Sequence, residues 1–344
     1  MSISKMFFVG LGGAGQRHLR VFKELLPAGT EFSAFRAVGK TPLLNSDFSV
    51  NTDSTVESRY NLRLFDSIEE GLGDRPDVVV VSTPTSLHYD VALEAAKRGS
   101  NLIVEKPFSN TLEGFDRFRD TVLANELHFL LSLQRRFHPY LRRTREIIAS
   151  GQLGKMVTAV FNVGTYVPAW HKYEDFRELY ACRRELGGGV LLTECHELDL
   201  AYWYFGLPHS VYCSGGNYSD VRLDVEDTVH LTLRYPEHDV QLNLSFMQEY
   251  VRRDFYIAGT KGYVSWDAEG NRLTEYYYET QEEKGLADPE YQNDTMFIAQ
   301  ATHFIEGFSA TDSMEYLNSA EATLTIIEAA RQSMREGREM KTAS

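Results

Sequence analysis

The segment Gly187–Asp199, GGGVLLTECHELD, runs from three glycines through apolar residues into Thr193, Glu194, Cys195, His196 and Asp199. Glycines let main chain come close to a flat surface, because no Cβ stands in the way. Histidine titrates near neutrality, so His196 can take or give a proton at cellular pH. On a helix, residues three apart share a face, which puts Thr193 and Asp199 on the face of His196. Glu194, two residues before His196, would lie about 200° around that helix and face elsewhere. Asp199 serves either to orient the imidazole or to pack.

A second group of candidates lies near the N-terminus. Gly10-Leu11-Gly12-Gly13-Ala14-Gly15 fits GxGxxG between a strand, KMFFVG, and a helix, GAGQRHLRVFKELL, which is the context that motif needs. Gly10 permits the tight turn, Gly12 lets main chain approach a pyrophosphate, and Gly15 allows close helix–strand packing. The helix start at Gly13 and Ala14 supplies amide donors. The alternative is a glycine-rich loop that binds nothing. An acid about 20 residues on would bind a ribose 2′-hydroxyl. The second strand ends instead in Phe35-Arg36-Ala37-Val38-Gly39-Lys40. Arg36 and Lys40 suit a 2′-phosphate, so NADP is the expected cofactor, with NAD the other choice. The competing reading is a solvated basic strand end.

Two more strand ends carry polar groups. Thr83–His88, TPTSLH, follows the strand DVVVVS. It falls at the ligand edge of a parallel sheet, so Thr83, Pro84 and His88 are expected cofactor contacts. Pro84 fixes the turn and Ser86 is placed to cap the next helix. Alone, a histidine such as His88 is more often structural. Glu105-Lys106-Pro107 ends the strand SNLIVEK. A lysine there is costly to place unless something uses its charge, which makes Glu105 and Lys106 candidates.

These residues need a scaffold, and the pattern supplies one. Through about residue 133, runs apolar on both faces alternate with helical segments, the signature of a doubly wound parallel sheet. From about residue 134, one helix after Pro139 is followed by MVTAVFNVGTYV, VYCSGGNYS, DTVHLTLRY, VQLNLSFM, RRDFYIAG and GYVSWDA, separated by tight turns. One helix near 191–204 and a last one near 319–336 complete the reading. The expected fold is therefore α/β: a Rossmann domain, 1–133, and an α+β domain, 134–344, with an open, mostly antiparallel sheet. The uncovered face of that sheet predicts a homodimer or homotetramer.

Composition narrows the function. The 344 residues hold 35 Lys and Arg against 49 Asp and Glu, a net charge of −14. That balance argues against sequence-independent nucleic-acid binding. No segment reaches the roughly 18 apolar residues of a membrane span. Cys182, Cys195 and Cys213 follow no disulfide or zinc spacing, and no His/Asp/Glu cluster has ligand spacing, so no metal is expected. A soluble, cytoplasmic protein is the expectation.

Together GLGGAGQRH, TPTSLH, EKP, RRFHP (Arg135–Pro139), GGGVLLTECHELDLAYWYFG, VEDTVHLTL and IAGTKGYVSWD resemble the glucose–fructose oxidoreductase, inositol dehydrogenase and rhizopine-catabolism (Gfo/Idh/MocA) family. The resemblance covers essentially the whole chain. It implies hydride transfer between a nicotinamide cofactor and a carbon of a sugar, sugar derivative or cyclitol. By position, Lys106 matches the family lysine that contacts substrate and nicotinamide ribose, and His196 the histidine that bonds the reacting hydroxyl. Arg136 falls in RRFHP and joins the substrate candidates. Relatives usually carry an aspartate one turn before the histidine; here Thr193 stands there and supplies no charge. The non-enzymatic alternative is a weakly active or non-catalytic NAD(P)-binding regulator of the same fold, which would need neither Lys106 nor His196.

The stretch from Tyr166 to Tyr180 holds further candidates. Tyr166 and Trp170 can stack on a sugar face, while His171, Asp175 and Arg177 can bond hydroxyls or an anionic group. Asp175 is also a candidate for the missing acid. The competing reading is a loop that packs its own aromatics.

Overall fold

A computed structural model describes residues 2–36, 41–171 and 173–342. Lys40 lies outside the described residues. The chain forms two compact units, Met1–Gln134 with Asp294–Glu321, and Arg135–Asn293 with Ala322–Ser344.

The first unit is built on β1 (Lys5–Val9), β2 (Glu31–Phe35), β3 (Arg63–Leu64), β4 (Val78–Val81), β5 (Asn101–Val104) and β6 (Phe129–Leu131). All pair parallel, in the order β3-β2-β1-β4-β5-β6. The four valines of β4 are fully buried, as expected of a strand covered on both faces. Helices α1 (Gly13–Leu25), α2 (Val56–Tyr60), α3 (Ile68–Gly73), α4 (His88–Lys97) and α5 (Phe115–Ala124) connect the strands. The order reverses between β1 and β4. In an open α/β sheet the crevice outside the strand C-termini at such a switch point is where ligands bind. The glycine motif, TPTSLH and EKP follow β1, β4 and β5 respectively, so all three gather at that edge.

The second unit carries helices α6 (Pro139–Ala149), α7 (Val190–Thr193) and α8 (His196–Phe205) on a nine-stranded sheet. Its strands are β7 (Met156–Tyr166), β8 (Ser210–Gly216), β9 (Thr228–Arg234), β10 (Asp239–Ser245), β11 (Met247–Gly259), β12 (Gly262–Asp267), β13 (Arg272–Tyr277), β14 (Glu282–Ala287) and β15 (Met340–Lys341). Pairing is antiparallel except between β7 and β10. Alternate residues such as Ala159, Phe161 and Val163 enter a core with Leu198, Leu231 and Leu242. Each valine, leucine or phenylalanine side chain among them contributes ~1.5–3 kcal/mol when fully buried. The other positions turn away from the core. There Asp254, Asn162, Asn243 and His230 form a hydrogen-bonded row across four strands. The three cysteines are buried as thiols, Cys182 and Cys213 among them raised by burial to about 11 and about 12.

Two departures from the sequence reading concern helices. Helix α9 (Asp294–Glu306) was not expected, and α10 (Ala310–Glu336) begins nine residues before the expected start at 319. Helix α9 and residues 310–321 belong to the first unit. The second departure is the segment near 191–204, which is two helices rather than one. No helix among the described residues is long and apolar enough to cross a membrane.

Candidate active site

In the first unit the glycine turn is fixed by its neighbours. Gly10 has φ +94° and donates its N–H to the Phe35 carbonyl at 3.1 Å. Ser82 Oγ donates to the Gly10 carbonyl at 2.8 Å. A Cβ on Gly15 would stand 2.5 Å from both Gly10 O and Ser82 Oγ, so only glycine lets α1 approach so closely. Gly12 faces open space. Helix α1 has no side-chain cap and no acid in its first turn, and Ala14 is exposed. Open space before uncapped amides fits a pyrophosphate, whose charge the amides and the helix dipole favour.

The EKP turn is braced from two sides. His18, on α1, donates from Nε2 to Glu105 Oε1 at 2.7 Å, and the Lys106 N–H donates to Glu105 Oε2 at 3.2 Å. Burial pushes the Glu105 carboxyl up, but the His18 hydrogen bond and the charges of His18, Lys106 and His88 outweigh it and bring it down to about 2. The Lys106–Pro107 peptide is cis. His88 is 1% exposed, with Nδ1 2.9 Å from Pro107 O and Nε2 2.8 Å from Thr83 O. Both ring nitrogens therefore face main-chain carbonyls, and His88 ties the TPTSLH turn to the EKP turn instead of presenting itself to a ligand. Ser86 lies within a short 3-10 turn, Thr85–Leu87, and the helix that follows has no side-chain cap.

Arg36 departs from the expectation of an available phosphate reader. Its side chain is 7% exposed. It donates to Glu57 Oε1 at 2.5 Å and to the Thr41 carbonyl at 2.5 Å. With Lys40 outside the described residues, the sequence argument for a 2′-phosphate loses its one described residue.

In the second unit the glycine run is woven into its surroundings. Gly188 and Gly189 donate N–H to Arg183 O and Ala181 O, both at 2.9 Å. Gly189 has φ +111°, and a Cβ there would collide with the Glu226 carboxylate. Glu226 also receives the Val190 N–H on its main-chain oxygen at 3.1 Å and the Leu191 N–H on Oε1 at 3.3 Å. The chain then forms α7, turns at Glu194–Cys195, and restarts with His196 as the first residue of α8. This break removes the continuous-helix argument that sent Glu194 to the far side. Thr193, Glu194, His196, Glu197 and Asp199 are all buried.

The acids around His196 have basic partners. Asp199 accepts from Arg136 through both oxygens, at 2.6 and 2.9 Å. Arg136, expected at the substrate, thus has its guanidinium on Asp199, with a side chain only 5% exposed. Arg253 on β11 pairs with Glu194 and, at 3.4 Å, with Glu197. Neither Arg253 nor Glu226 was singled out from sequence. The visible signal was an arginine inside a strand pattern, RRDFYIAG, and an acid just before one, VEDTVHLTL.

The aromatic stretch divides. Trp170 meets the Phe246 ring edge-to-face at 5.4 Å and packs against the core, and Tyr166 ends β7 half-buried. His171 stacks on Tyr173 and pairs with Glu174 at 2.8 Å. Asp175 and Arg177 have side chains 57% and 58% exposed, and Asp175 caps a 3-10 turn through the Arg177 N–H at 3.0 Å. Asp175 is therefore a surface cap, whereas Glu194, Glu197 and Asp199 are the buried acids of the His196 segment. Among the described residues no group of three or more His, Cys, Asp or Glu is arranged to hold a metal ion.

Residues 4–131 match the model of the oxidoreductase family with an NAD-binding Rossmann fold, and residues 141–265 match the GFO/IDH/MocA C-terminal domain. The chain belongs to the Gfo/Idh/MocA family. Family members similar to it include the rhizopine catabolism protein MocA of Rhizobium meliloti, 27% identical over 60% of this chain and 58% of that one. Another is the 1,5-anhydro-D-fructose reductase of Ensifer adhaerens, 30% identical over 57% of this chain and 59% of that one. The chain spans about half the length of the curated relatives it matches. An inositol dehydrogenase homologue of Azotobacter vinelandii, solved with NAD+, superposes with a TM-score of 0.80 at 16% identity. That match covers 99% of this chain and 97% of the other, and shows a shared fold.

Proposed function

We propose that this member of the Gfo/Idh/MocA family moves a hydride to or from a hydroxyl or keto carbon of a sugar, sugar derivative or cyclitol. The observation that carries the reading is the double bracing of the EKP turn by His18 and His88, which fixes Lys106 at the ligand edge of the sheet. A lysine held at that edge can meet a substrate oxygen and offset charge that develops on it. The glycine turn at Gly10, Gly12, Gly13, Ala14 and Gly15 would hold a nicotinamide dinucleotide, which supplies the hydride acceptor or donor. Thr83 and Pro84 sit on the same edge.

Lys106 holds the substrate oxygen and stabilises alkoxide charge as the carbon gives up its hydride. His196 takes the hydroxyl proton in oxidation and returns it in reduction, so a C–OH becomes C=O with one hydride and one proton leaving by separate routes. Thr193, Tyr166 and Trp170 are candidates for sugar contacts. Glu194, paired with Arg253, supplies a buried acid one residue from Thr193, where relatives carry an aspartate. A regulatory protein of this fold would bind the dinucleotide and turn nothing over.

The test is turnover of NAD(P)+ or NAD(P)H on a panel of polyols, cyclitols and keto-sugars. Lys106→Ala and His196→Asn should each lower kcat at least about 100-fold while leaving dinucleotide binding measurable. Either variant retaining full activity overturns the assignment. Dinucleotide binding without turnover by the unmodified chain favours the regulator.

We also propose a homo-oligomer through the sheet face that carries Val157, Tyr212 and Tyr256 beside the Asp254–His230 row. Light scattering that gives a monomer at tens of micromolar would refute it.

A further inference from the structure

The end of the second strand is where a Rossmann sheet tells one nicotinamide dinucleotide from the other, because the adenosine ribose meets it there. In this chain that position is Arg36, directly after Phe35, whose carbonyl braces the Gly10 turn. We propose that Glu57 selects the cofactor: by holding the Arg36 guanidinium it turns the site toward a ribose with a free 2′-hydroxyl, NAD(H), and away from a 2′-phosphate. This rests on the nicotinamide reading above.

Three observations support it. First, Arg36 is committed. One terminal nitrogen lies 2.5 Å from Glu57 Oε1 and the other 2.5 Å from Thr41 O, in a setting that leaves the side chain 7% exposed. A 2′-phosphate would have to displace the carboxylate or lie beside it, and a dianion beside an anion is unfavourable in so screened-off a place. Second, Glu57 is itself held. It lies in the first turn of α2, which Thr55 caps by accepting the Ser58 N–H at 3.2 Å. Burial pushes the Glu57 carboxyl up, but bonds from its main chain, Arg36 and Thr55 outweigh it and keep it below the ordinary carboxylate range. Third, an ionised carboxylate has acceptor sites for about four hydrogen bonds, so one that binds Arg36 can also accept from a hydroxyl. A side chain 25% exposed remains reachable. Glu57 thus supplies, from 21 residues further along the chain, the acid that the strand end lacks.

The experiment is a fluorescence titration of the full chain with NADH and with NADPH. It uses the unmodified protein, Glu57→Gln, Arg36→Gln and the double variant, each checked for folding by circular dichroism. The unmodified chain should bind NADH about tenfold or more tighter than NADPH. Glu57→Gln should tighten NADPH about tenfold with NADH within about threefold, and the gain should weaken with added salt. In the double variant the gain should vanish, because Arg36 carries it. If Glu57→Gln does not fold, Glu57→Asp, whose shorter arm loosens the pair, should shift preference the same way. NADPH preference in the unmodified chain, an unmoved ratio in the Glu57 variants, or a gain that survives without Arg36 would overturn the proposal. Tight NADH binding with an unmoved ratio removes only the role of Glu57. Binding of neither dinucleotide by the folded chain removes the nicotinamide reading as well.

Discussion

His18 and Glu105 stand 87 residues apart in the chain and 2.7 Å apart in space. The pair joins the helix that follows the glycine turn to the strand end that carries Lys106. Glu105 uses one oxygen for His18 and the other for the Lys106 amide, so a displacement of either helix or turn is felt by both.

This pair gives acid sensitivity with a definite sign. The Glu105 carboxyl is held at about 2 against an ordinary 4.5. A depressed carboxylate contributes stability that is complete above the unfolded value and lost as pH falls through the folded one. Between about pH 4.5 and 2 the fold should lose about 3 kcal/mol from this group. Denaturant midpoints at pH 7, 4.5 and 3 should show Glu105→Gln weaker at neutrality and flatter toward acid. Parallel slopes for the two proteins would remove Glu105 from the account.

His138 should act in a higher window. Burial, and then the charge of Arg135, lowers it to about 4 from 6.5, so the fold favours the neutral ring. Neutral Nδ1 accepts the Tyr140 N–H at 3.2 Å at the start of α6, which a proton would abolish. His138 is 3% exposed, so stability should decline as pH falls from about 6.5 to 4, by about 3 kcal/mol. His138→Asn keeps a capping acceptor without the titration, and should be the less pH-sensitive protein over that range.

Ion pairs should divide by burial. Removing the Asp199 charge in Asp199→Asn takes the carboxylate away from an arginine side chain that is 5% exposed, at a cost of about 3–5 kcal/mol in urea unfolding. Asp175→Asn, at a pair more than half exposed, should stay within about 1 kcal/mol. Equal effects at the two sites would contradict the structure.

Gly189→Ala tests the glycine run. The methyl meets the Glu226 carboxylate at a φ of +111°, which alanine adopts at a cost, so a loss of more than about 2 kcal/mol is expected. Adding Glu226→Ala should recover the steric part and leave the backbone part. The non-additivity is read from a double-mutant cycle of unfolding free energies.

Much of this architecture was legible because periodicity and turn chemistry are local. The valines of β4, the glycines after β1 and the EKP turn mark a parallel sheet and its ligand edge without any long-range information. What stayed hidden depends on which distant side chain arrives. Arg36 reads as a phosphate ligand until Glu57 is placed on it. Arg136 reads as a substrate ligand until Asp199 is. His88 reads as a contact until two carbonyls take its ring nitrogens. The helix break at Glu194–Cys195 was hidden for another reason: it contains no glycine or proline, and the turn is set by the Arg253 pairs and the glycine run around it. Strands β13 (RLTEYY) and β14 (EEKGLA) were hidden because each is short and carries charged residues with only one or two aliphatic ones.

The buried thiols have a practical consequence. Cys182, Cys195 and Cys213 are each no more than 3% exposed. At pH 7 a thiol raised to about 11 is ionised in only about one molecule in ten thousand, and the thiolate is the reactive form. A maleimide dye should therefore ignore the native cysteines and label one introduced at an exposed position such as Tyr218. A reporter pair, one dye on each compact unit, could then follow their separation as dinucleotide is added, with no native cysteine removed first.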